Sequence, residues 1–261
     1  MLQLCLTAMI TLKFVLVKDN GLNQYKKALV FDFITYATIR KDLNISGSLI
    51  GTSAKFKQQN KLLELPCELN IFEVYWILDY IIHDQKADFD YQLIVKEDGV
   101  LKEEPIDPDY NPSSKFTEIP FENRYINKST SEDHLNLYKA LKTELDGNLD
   151  YQFYKYLKIK FKSVIKKDPL ISEESVRYPC LLSGLKFGCL YSLYMDDPLK
   201  EHSRYMIKNF IRENEAPHSA QLQSDCRLAT TTKKEVLISY LHYDEHNDTQ
   251  FKSFAFKWPG F

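Results

Sequence analysis

The chain has 261 residues, of which 44% are apolar and 27% are charged, a balance typical of a soluble globular protein. This length allows one large domain or two small ones. The formal net charge of −2 excludes a general electrostatic attraction to nucleic acid, so any such binding must come from local basic patches or from a partner.

The five cysteines contain no C-x-x-C pair, and their number is odd. In a long, lysine-rich chain this pattern favours reduced core thiols in a cytosolic or nuclear protein. The cysteines are Cys5, Cys67, Cys180, Cys189 and Cys226.

Residues 1–27 form an extra N-terminal segment whose first 17 residues are apolar but interrupted by Lys13. The apolar run is too short to cross a bilayer and lacks a basic start. We predict an extra strand or a disordered leader here, with a cleaved signal as the alternative. No transmembrane segment is expected elsewhere.

Residues 28–83 are predicted to be a small N-terminal α/β domain. Residues 28–33 are rich in β-branched and aromatic side chains, which predicts a strand, and residues 47–52 indicate a strand or turn. A helix is predicted to open at Pro66, because apolar residues then recur at helical spacing. They are Leu69, Phe72, Trp76, Ile77 and Tyr80.

Residues 84–147 carry acidic runs and four prolines, which predicts a linker with little core and, over 139–145, a short helix.

Residues 148–261 are predicted to be a second domain. The spacing of its apolar residues over 154–164 fits either a helix or a strand. Residues 179–194 indicate a strand, a glycine turn and a second strand, and strands are also predicted over 236–243 and 251–258. The predicted fold class is α/β (α+β), with a mixed sheet in the second domain.

The chain lacks the motifs of metal sites and of serine or cysteine nucleophiles. None of the six histidines lies in H-E-x-x-H or beside cysteines at zinc spacing, so no metal site is expected. There is no Gly-x-Ser-x-Gly motif for a serine nucleophile, and Cys189 is interpreted as a small buried apolar residue.

A tyrosine, a histidine and a lysine near glycine-marked turns remain as candidates: Tyr194, His202 and Lys234. Cleaving RNA without a metal needs a base for the 2′-OH, an acid for the departing 5′-oxygen and a cation for the phosphorane. Histidine suits the acid, lysine suits the cation, and a tyrosine becomes a base only if a nearby cation lowers its pKa. From spacing alone, three ordinary surface or capping residues are the favoured interpretation.

The motifs around these residues resemble the tRNA-splicing (tRNA-intron) endonuclease family. The similarity lies in Gly-Leu-Lys-Phe-Gly at 184–188, the following Tyr194, His202-Ser203, and the run 226–234 that ends in two lysines. Asp-Pro-Leu at 197–199, the Trp-Pro-Gly-Phe end at 258–261 and the run from residue 29 to 76 resemble the eukaryotic catalytic subunit that cuts the 3′ splice site.

The resemblance implies site roles. Tyr194 is the expected general base, His202 the general acid and Lys234 the cation that stabilises the transition state. Lys234 is chosen over Lys233 because the family's lysine follows another basic residue. Lys186, Arg227 and Lys233 are expected to contact RNA. The expected products are a 2′,3′-cyclic phosphate and a 5′-OH, formed without a metal or other cofactor.

The resemblance also implies partners. The substrate would be intron-containing pre-tRNA, and the assembly a heterotetramer with a second catalytic subunit and two structural subunits. The expected location is the nucleus, or alternatively the cytosolic face of the mitochondrial outer membrane. Two other functions stay open: a non-catalytic structural subunit, and the catalytic subunit that cuts the 5′ site. Asp196 departs from the family's pattern, in which a glycine usually precedes Asp-Pro, so the local turn is expected to differ.

Overall fold

The computed structural model describes residues 10–18, 24–52, 63–84, 89–95, 131–168, 171–212, 215–216, 219–243 and 249–258. The chain divides into two compact units. The first comprises Met1–Tyr36 and Ser48–Leu145, and the second comprises Ala37–Gly47 and Asp146–Phe261. No helix within the described residues is long and apolar enough to cross a membrane.

The first unit is built on a sheet of five described strands in the order β3-β4-β2-β1-β5. The β1–β5 pair is parallel and the other pairs are antiparallel. The strands are β1 (Ile10–Lys18), β2 (Tyr25–Val30), β3 (Ser48–Thr52), β4 (Leu63–Asn70) and β5 (Phe89–Val95). Helix α1 (Phe33–Lys41) follows β2, and its residues from Ala37 onward belong to the second unit. Helix α2 (Ile71–Trp76) follows β4 and continues as a π-helix over Ile77–Asp84.

The N-terminal segment belongs to this sheet, so the first unit begins before the residue 28 predicted from the sequence. Strand β1 lies between β2 and β5, and the alternating side chains of Leu12, Phe14 and Leu16 are fully buried. Their period of two presents one apolar face to the core, as expected of a sheet packed on one side. The extra-strand interpretation is therefore correct for residues 10–18.

Both ends of the linker predicted over 84–147 contribute to the core, and the short helix predicted over 139–145 is confirmed as the last part of a longer helix. Strand β5 pairs with β1, and helix α3 (Ser131–Leu145) buries Tyr138, Leu141 and Leu145. These three recur at helical spacing, so they provide one core-facing stripe that the many polar neighbours concealed. Residues 96–130, with all four prolines of the predicted linker, lie outside the described residues.

Two element starts in the first unit differ from the prediction. The helix expected at Pro66 begins at Ile71, because Asn70 accepts the Phe72 N–H at 2.9 Å and Glu73 accepts the Asn70 N–H, a complete capping box. The strand expected over 28–33 ends at Val30. Asp32 then accepts the Thr35 N–H at 2.7 Å and starts α1, which the sequence interpretation missed.

The second unit contains a mixed sheet of five described strands in the order β12-β11-β10-β9-β8. Only the β10–β11 pair is parallel. The strands are β8 (Cys180–Ser183), β9 (Tyr191–Tyr194), β10 (Tyr205–Ile207), β11 (Glu235–Tyr243) and β12 (Thr249–Phe256). Strand–turn–strand over 179–194 and the two later strands are thus confirmed.

Helices and a hairpin complete the second unit. Helix α4 (Leu149–Lys160) settles the ambiguity over 154–164 largely in favour of a helix, since Asn148 caps it by accepting the Tyr151 N–H at 3.0 Å. A hairpin follows, formed by β6 (Ser163–Asp168) and β7 (Ile171–Arg177). Helix α5 (Ser219–Thr231) packs on the sheet through Cys226 and Ala229, against Met206, Val236 and Ile238.

The four cysteines that the structure describes are thiols, and all are buried. Burial raises the pKa of the Cys189 and Cys226 thiols above the usual value, which lowers their thiolate content at neutral pH. Titrating the native chain with Ellman's reagent should therefore detect at most one rapidly reacting thiol, Cys5, against five in denaturant. A Cys5→Ser variant should show none when folded, and rapid reaction of two or more native thiols would contradict this.

Candidate active site

Three neighbouring strands bring sequence-distant residues to one edge of the second unit's sheet. Tyr205 is paired both with Leu193 of β9 and with Glu235 of β11. One residue further out, the Arg204 N–H donates to the Leu193 carbonyl at 2.8 Å, and the Arg204 carbonyl accepts the Glu235 N–H at 3.1 Å. Tyr194, the last residue of β9, and Lys234, the residue just before β11, therefore lie on either side of Arg204.

His202 lies at the same edge, just ahead of β10. The side chains of Ser203 and Tyr205 are buried, whereas those of His202 and Arg204 are exposed. His202 and Arg204 therefore both face away from the core. The structure thus brings Tyr194, His202 and Lys234 to one edge of the sheet, while their roles stay predictions.

A glycine turn shapes one wall of this site. Gly184 and Gly188 flank a 3₁₀ turn over Leu185–Phe187. Gly188 has a φ of 65°, which favours glycine, and a side chain at Gly184 would clash with Cys189. The turn exposes Lys186 and Phe187. Lys186 therefore directly precedes Phe187, the residue whose ring contacts the Lys234 ammonium group.

Lys234 and Lys233 have different surroundings although they are adjacent in sequence. Helix α5 ends at Thr231, and Lys233 then adopts a left-handed φ of 56° with an exposed side chain. The Lys234 N–H donates to the Ala229 carbonyl at 2.8 Å, and its Nζ lies 4.1 Å from the centre of the Phe187 ring. A cation at this distance is attracted by the ring's negative face, which steadies the ammonium group.

Arg227, the remaining cation expected to contact RNA, lies on α5 and is exposed. Its guanidinium carbon is 5.1 Å from the centre of the Trp258 ring. Lys186, Arg227 and Lys233 are therefore all exposed cations of the second unit, as RNA contacts would require. Their contact with RNA stays a prediction.

The loop between Tyr194 and His202 contains two charged contacts that the sequence interpretation missed. Asp197 Oδ1 accepts the Leu199 N–H and a bond from Arg40 Nη2, each at 2.9 Å, and Asp196 forms an ion pair with Arg177. The Leu199 N–H, followed by Arg40, lowers the pKa of Asp197. Arg40 lies 157 residues before Asp197, so no local pattern could have indicated it.

Two models of known protein families match this sequence. A family model described as "TSEN34-like, N-terminal domain" matches residues 22–84. A second, described as "tRNA intron endonuclease, catalytic C-terminal domain", matches residues 178–251, which include Tyr194, His202 and Lys234. The chain belongs to the tRNA-splicing endonuclease family. Its second unit carries this family's catalytic domain, as the motifs at 184–188, 194, 202 and 226–234 indicated.

A curated relative extends the similarity beyond the two matched regions. The "Probable tRNA-splicing endonuclease subunit sen34" of Schizosaccharomyces pombe is 26% identical over 289 aligned positions. The alignment covers 90% of this chain and 95% of the relative. Similarity to this member of the tRNA-splicing endonuclease family therefore spans both units. Within the described part of the chain, no three His, Cys, Asp or Glu residues group as a metal site would.

Proposed function

We propose that this chain is the tRNA-splicing endonuclease subunit that cuts intron-containing pre-tRNA at the 3′ splice site. The observation that carries the proposal is the alignment of Tyr194, Arg204 and Lys234 across β9, β10 and β11, with His202 beside them. A structural subunit would have no need to keep a base, an acid and a cation at one sheet edge. The Asp-Pro-Leu stretch at 197–199 and the run from residue 29 to 76 resemble the subunit that cuts the 3′ site, and they favour the 3′ site over the 5′ site.

The proposed reaction is an internal transesterification. Tyr194 takes the proton of the 2′-OH, and the 2′-oxygen forms a bond to the scissile phosphorus. The bond from phosphorus to the 5′-oxygen breaks, and His202 protonates that oxygen. Lys234 stabilises the extra negative charge of the phosphorane between these events. The products are a 2′,3′-cyclic phosphate and a 5′-OH, and every proton transfer uses a residue of this edge.

Assembly with other subunits is part of the proposal. Strand β12 lies at the end of its sheet among the described strands and carries Phe254 and Phe256, which are 54% and 36% exposed. Exposed aromatic residues on an edge strand favour pairing with another chain. We therefore propose a heterotetramer with a second catalytic subunit and two structural subunits.

The proposed location of the protein is the nucleus, with the cytosolic face of the mitochondrial outer membrane as the alternative. The buried, reduced thiols of the described cysteines agree with either compartment.

The test uses the full-length chain reconstituted with the other three subunits and a labelled pre-tRNA, in the presence of EDTA. Tyr194→Phe, which removes one hydroxyl group, should abolish the 3′ cut and leave the 5′ cut intact. Wild type should leave a 2′,3′-cyclic phosphate at the 3′ site. Tyr243→Phe, an exposed tyrosine at the opposite end of β11, is the matched control and should cut both sites normally.

Each other outcome overturns the proposal in a different way. Selective loss of the 5′ cut would assign the chain to the 5′ site. Two intact cuts with Tyr194→Phe would indicate a structural subunit or a different base. A 3′-phosphate formed directly by wild type, with no cyclic intermediate, would exclude attack by the 2′-oxygen.

A further inference from the structure

The loop over residues 195–201 connects Tyr194 to His202. It joins the end of β9 to the start of β10. Its backbone turns on Asp197, whose carbonyl accepts the N–H groups of Lys200 and Glu201 at 2.8 and 3.1 Å. Asp196 Oδ1 accepts the Asp197 N–H at 2.6 Å. The two aspartates therefore organise the loop from within.

Two arginines hold the same two carboxylates from outside the loop. Arg40, near the end of α1, binds Asp197 Oδ1 at 2.9 Å, and Arg177, the last residue of β7, pairs with Asp196. The Arg40 and Asp197 side chains are only 21% and 19% exposed. Ion pairs that are mostly shielded from solvent are less screened than surface pairs, and hydrogen bonds between ionised groups are among the stronger ones.

The two arginines belong to segments that are themselves joined. Asn44, four residues after Arg40, is buried, and its Nδ2 donates to the Tyr178 carbonyl at 3.0 Å. The next carbonyl, that of Pro179, accepts a bond from the buried Lys158 Nζ at 2.7 Å. The segments that carry Arg40 and Arg177 are thus joined by hydrogen bonds that do not involve the loop.

Tyr194 and His202 depend on this loop to different degrees. Tyr194 is the last residue of β9 and is paired with Cys180 of β8, so the sheet fixes its backbone. His202 is three residues ahead of β10 and belongs to neither neighbouring strand. Loosening the loop should therefore displace His202 more than Tyr194.

We propose that Arg40 is a positioning residue for RNA cleavage, which acts through Asp197 to hold His202 at the distance from Tyr194 that proton donation to the leaving oxygen requires. This inference rests on the proposed function. Arg177 holds Asp196 as the second anchor of the same loop. Neither arginine needs to contact the RNA.

The test measures single-turnover 3′ cleavage by the full reconstituted complex. Arg40→Met should lower the maximal rate about 10- to 100-fold, because small misplacements of a reacting group have effects of this size, and should leave substrate affinity within about threefold. Arg40→Lys should recover part of the rate. Asp197→Asn should have an effect similar to that of Arg40→Met, because each substitution removes the same ion pair. The double variant should therefore be no slower than the slower single variant.

A sulfur-substituted substrate separates positioning of the acid from a general loss of structure. When sulfur replaces the bridging 5′-oxygen at the 3′ splice site, the leaving group departs without a proton donor. The defect of Arg40→Met should then shrink to less than about threefold, because only the acid step depends on His202. Lys27→Met, which breaks the comparable Lys27–Glu68 ion pair of the first unit, is the matched control and should cleave like wild type.

Several results would overturn the positioning role. These are a normal rate for Arg40→Met, an equal defect on the oxygen and sulfur substrates, or a rate loss that follows a lowered melting temperature. If Arg40→Met does not fold, Arg40→Lys on the two substrates decides by the same comparison. An unaffected His202→Ala complex would refute the proposed function itself, whereas a sensitive His202→Ala with an insensitive Arg40→Met refutes only the inference about Arg40.

Discussion

Replacing His202 by alanine is expected to slow 3′ cleavage at least about 100-fold in the reconstituted complex, the lower end of what a general acid contributes. His202 is exposed at the sheet edge that also carries Tyr194 and Lys234, where a leaving 5′-oxygen would stand in the proposed reaction. Without the imidazolium, this oxygen must depart as an alkoxide. Single-turnover rates at saturating enzyme measure the effect directly.

The sulfur-substituted substrate again tests the role. His202→Ala should cleave it at nearly the wild-type rate, because a thiolate needs no acid, whereas Tyr194→Phe should stay slow on both substrates because the 2′-OH still needs a base. His242→Ala is the matched control, since His242 lies near the far end of β11, and it should cleave the natural substrate normally. If His202→Ala is equally slow on both substrates, His202 is not the acid.

Replacing Lys234 by alanine is expected to lower kcat about 100- to 1,000-fold, which is the usual consequence of removing one group that stabilises a transition-state charge. Its Nζ is held 4.1 Å from the Phe187 ring centre, so the ammonium group is already placed at the edge that carries Tyr194. The KM should change little, because this interaction strengthens only when the phosphorane forms. Steady-state kinetics at the 3′ site separate the two constants.

Lys233 provides the comparison, because it is the neighbouring lysine with a different environment. Lys233→Gly preserves the left-handed backbone, with its φ of 56°, while removing the charge. As an expected RNA contact, Lys233 should affect KM by a few-fold and leave kcat unchanged. If Lys233→Gly lowers kcat and Lys234→Ala does not, the two lysines exchange roles.

The turn and strands of the second unit could be predicted from the sequence, because each depends on residues close together in the chain. The glycines at 184 and 188 mark a turn, and one of them has the left-handed backbone that favours glycine. The strand over 236–243 was a clear candidate, and the strand over 251–258 followed from the alternation of Phe254, Phe256 and Trp258 with the residues between them. The structure confirms them as β11 and β12. The helix or strand choice over 154–164 stayed open, since both periods fit, and a cap at Asn148 with tertiary burial decided it.

The first unit was predicted less well, because its core is assembled from separate pieces of sequence. Strand β1 is an inner strand only because β5, about eighty residues later, pairs with it in parallel. Helix α3 buries three residues among many polar ones, and the sequence predicted only its last part, over 139–145, as a short helix within a linker. Long-range pairing gives these segments their stability, and no local window contains both partners.

The chemical identities of the candidate site were determined by the sequence itself: a tyrosine, a histidine and a lysine in the order of one endonuclease family. Only the tertiary structure decided which groups surround them. It placed Lys234 against Phe187, gave Lys233 a different direction, and brought Arg40 to Asp197 across 157 residues. The physical reason is that residue types determine what chemistry is possible, whereas distances between residues far apart in sequence arise only when strands pair and side chains pack.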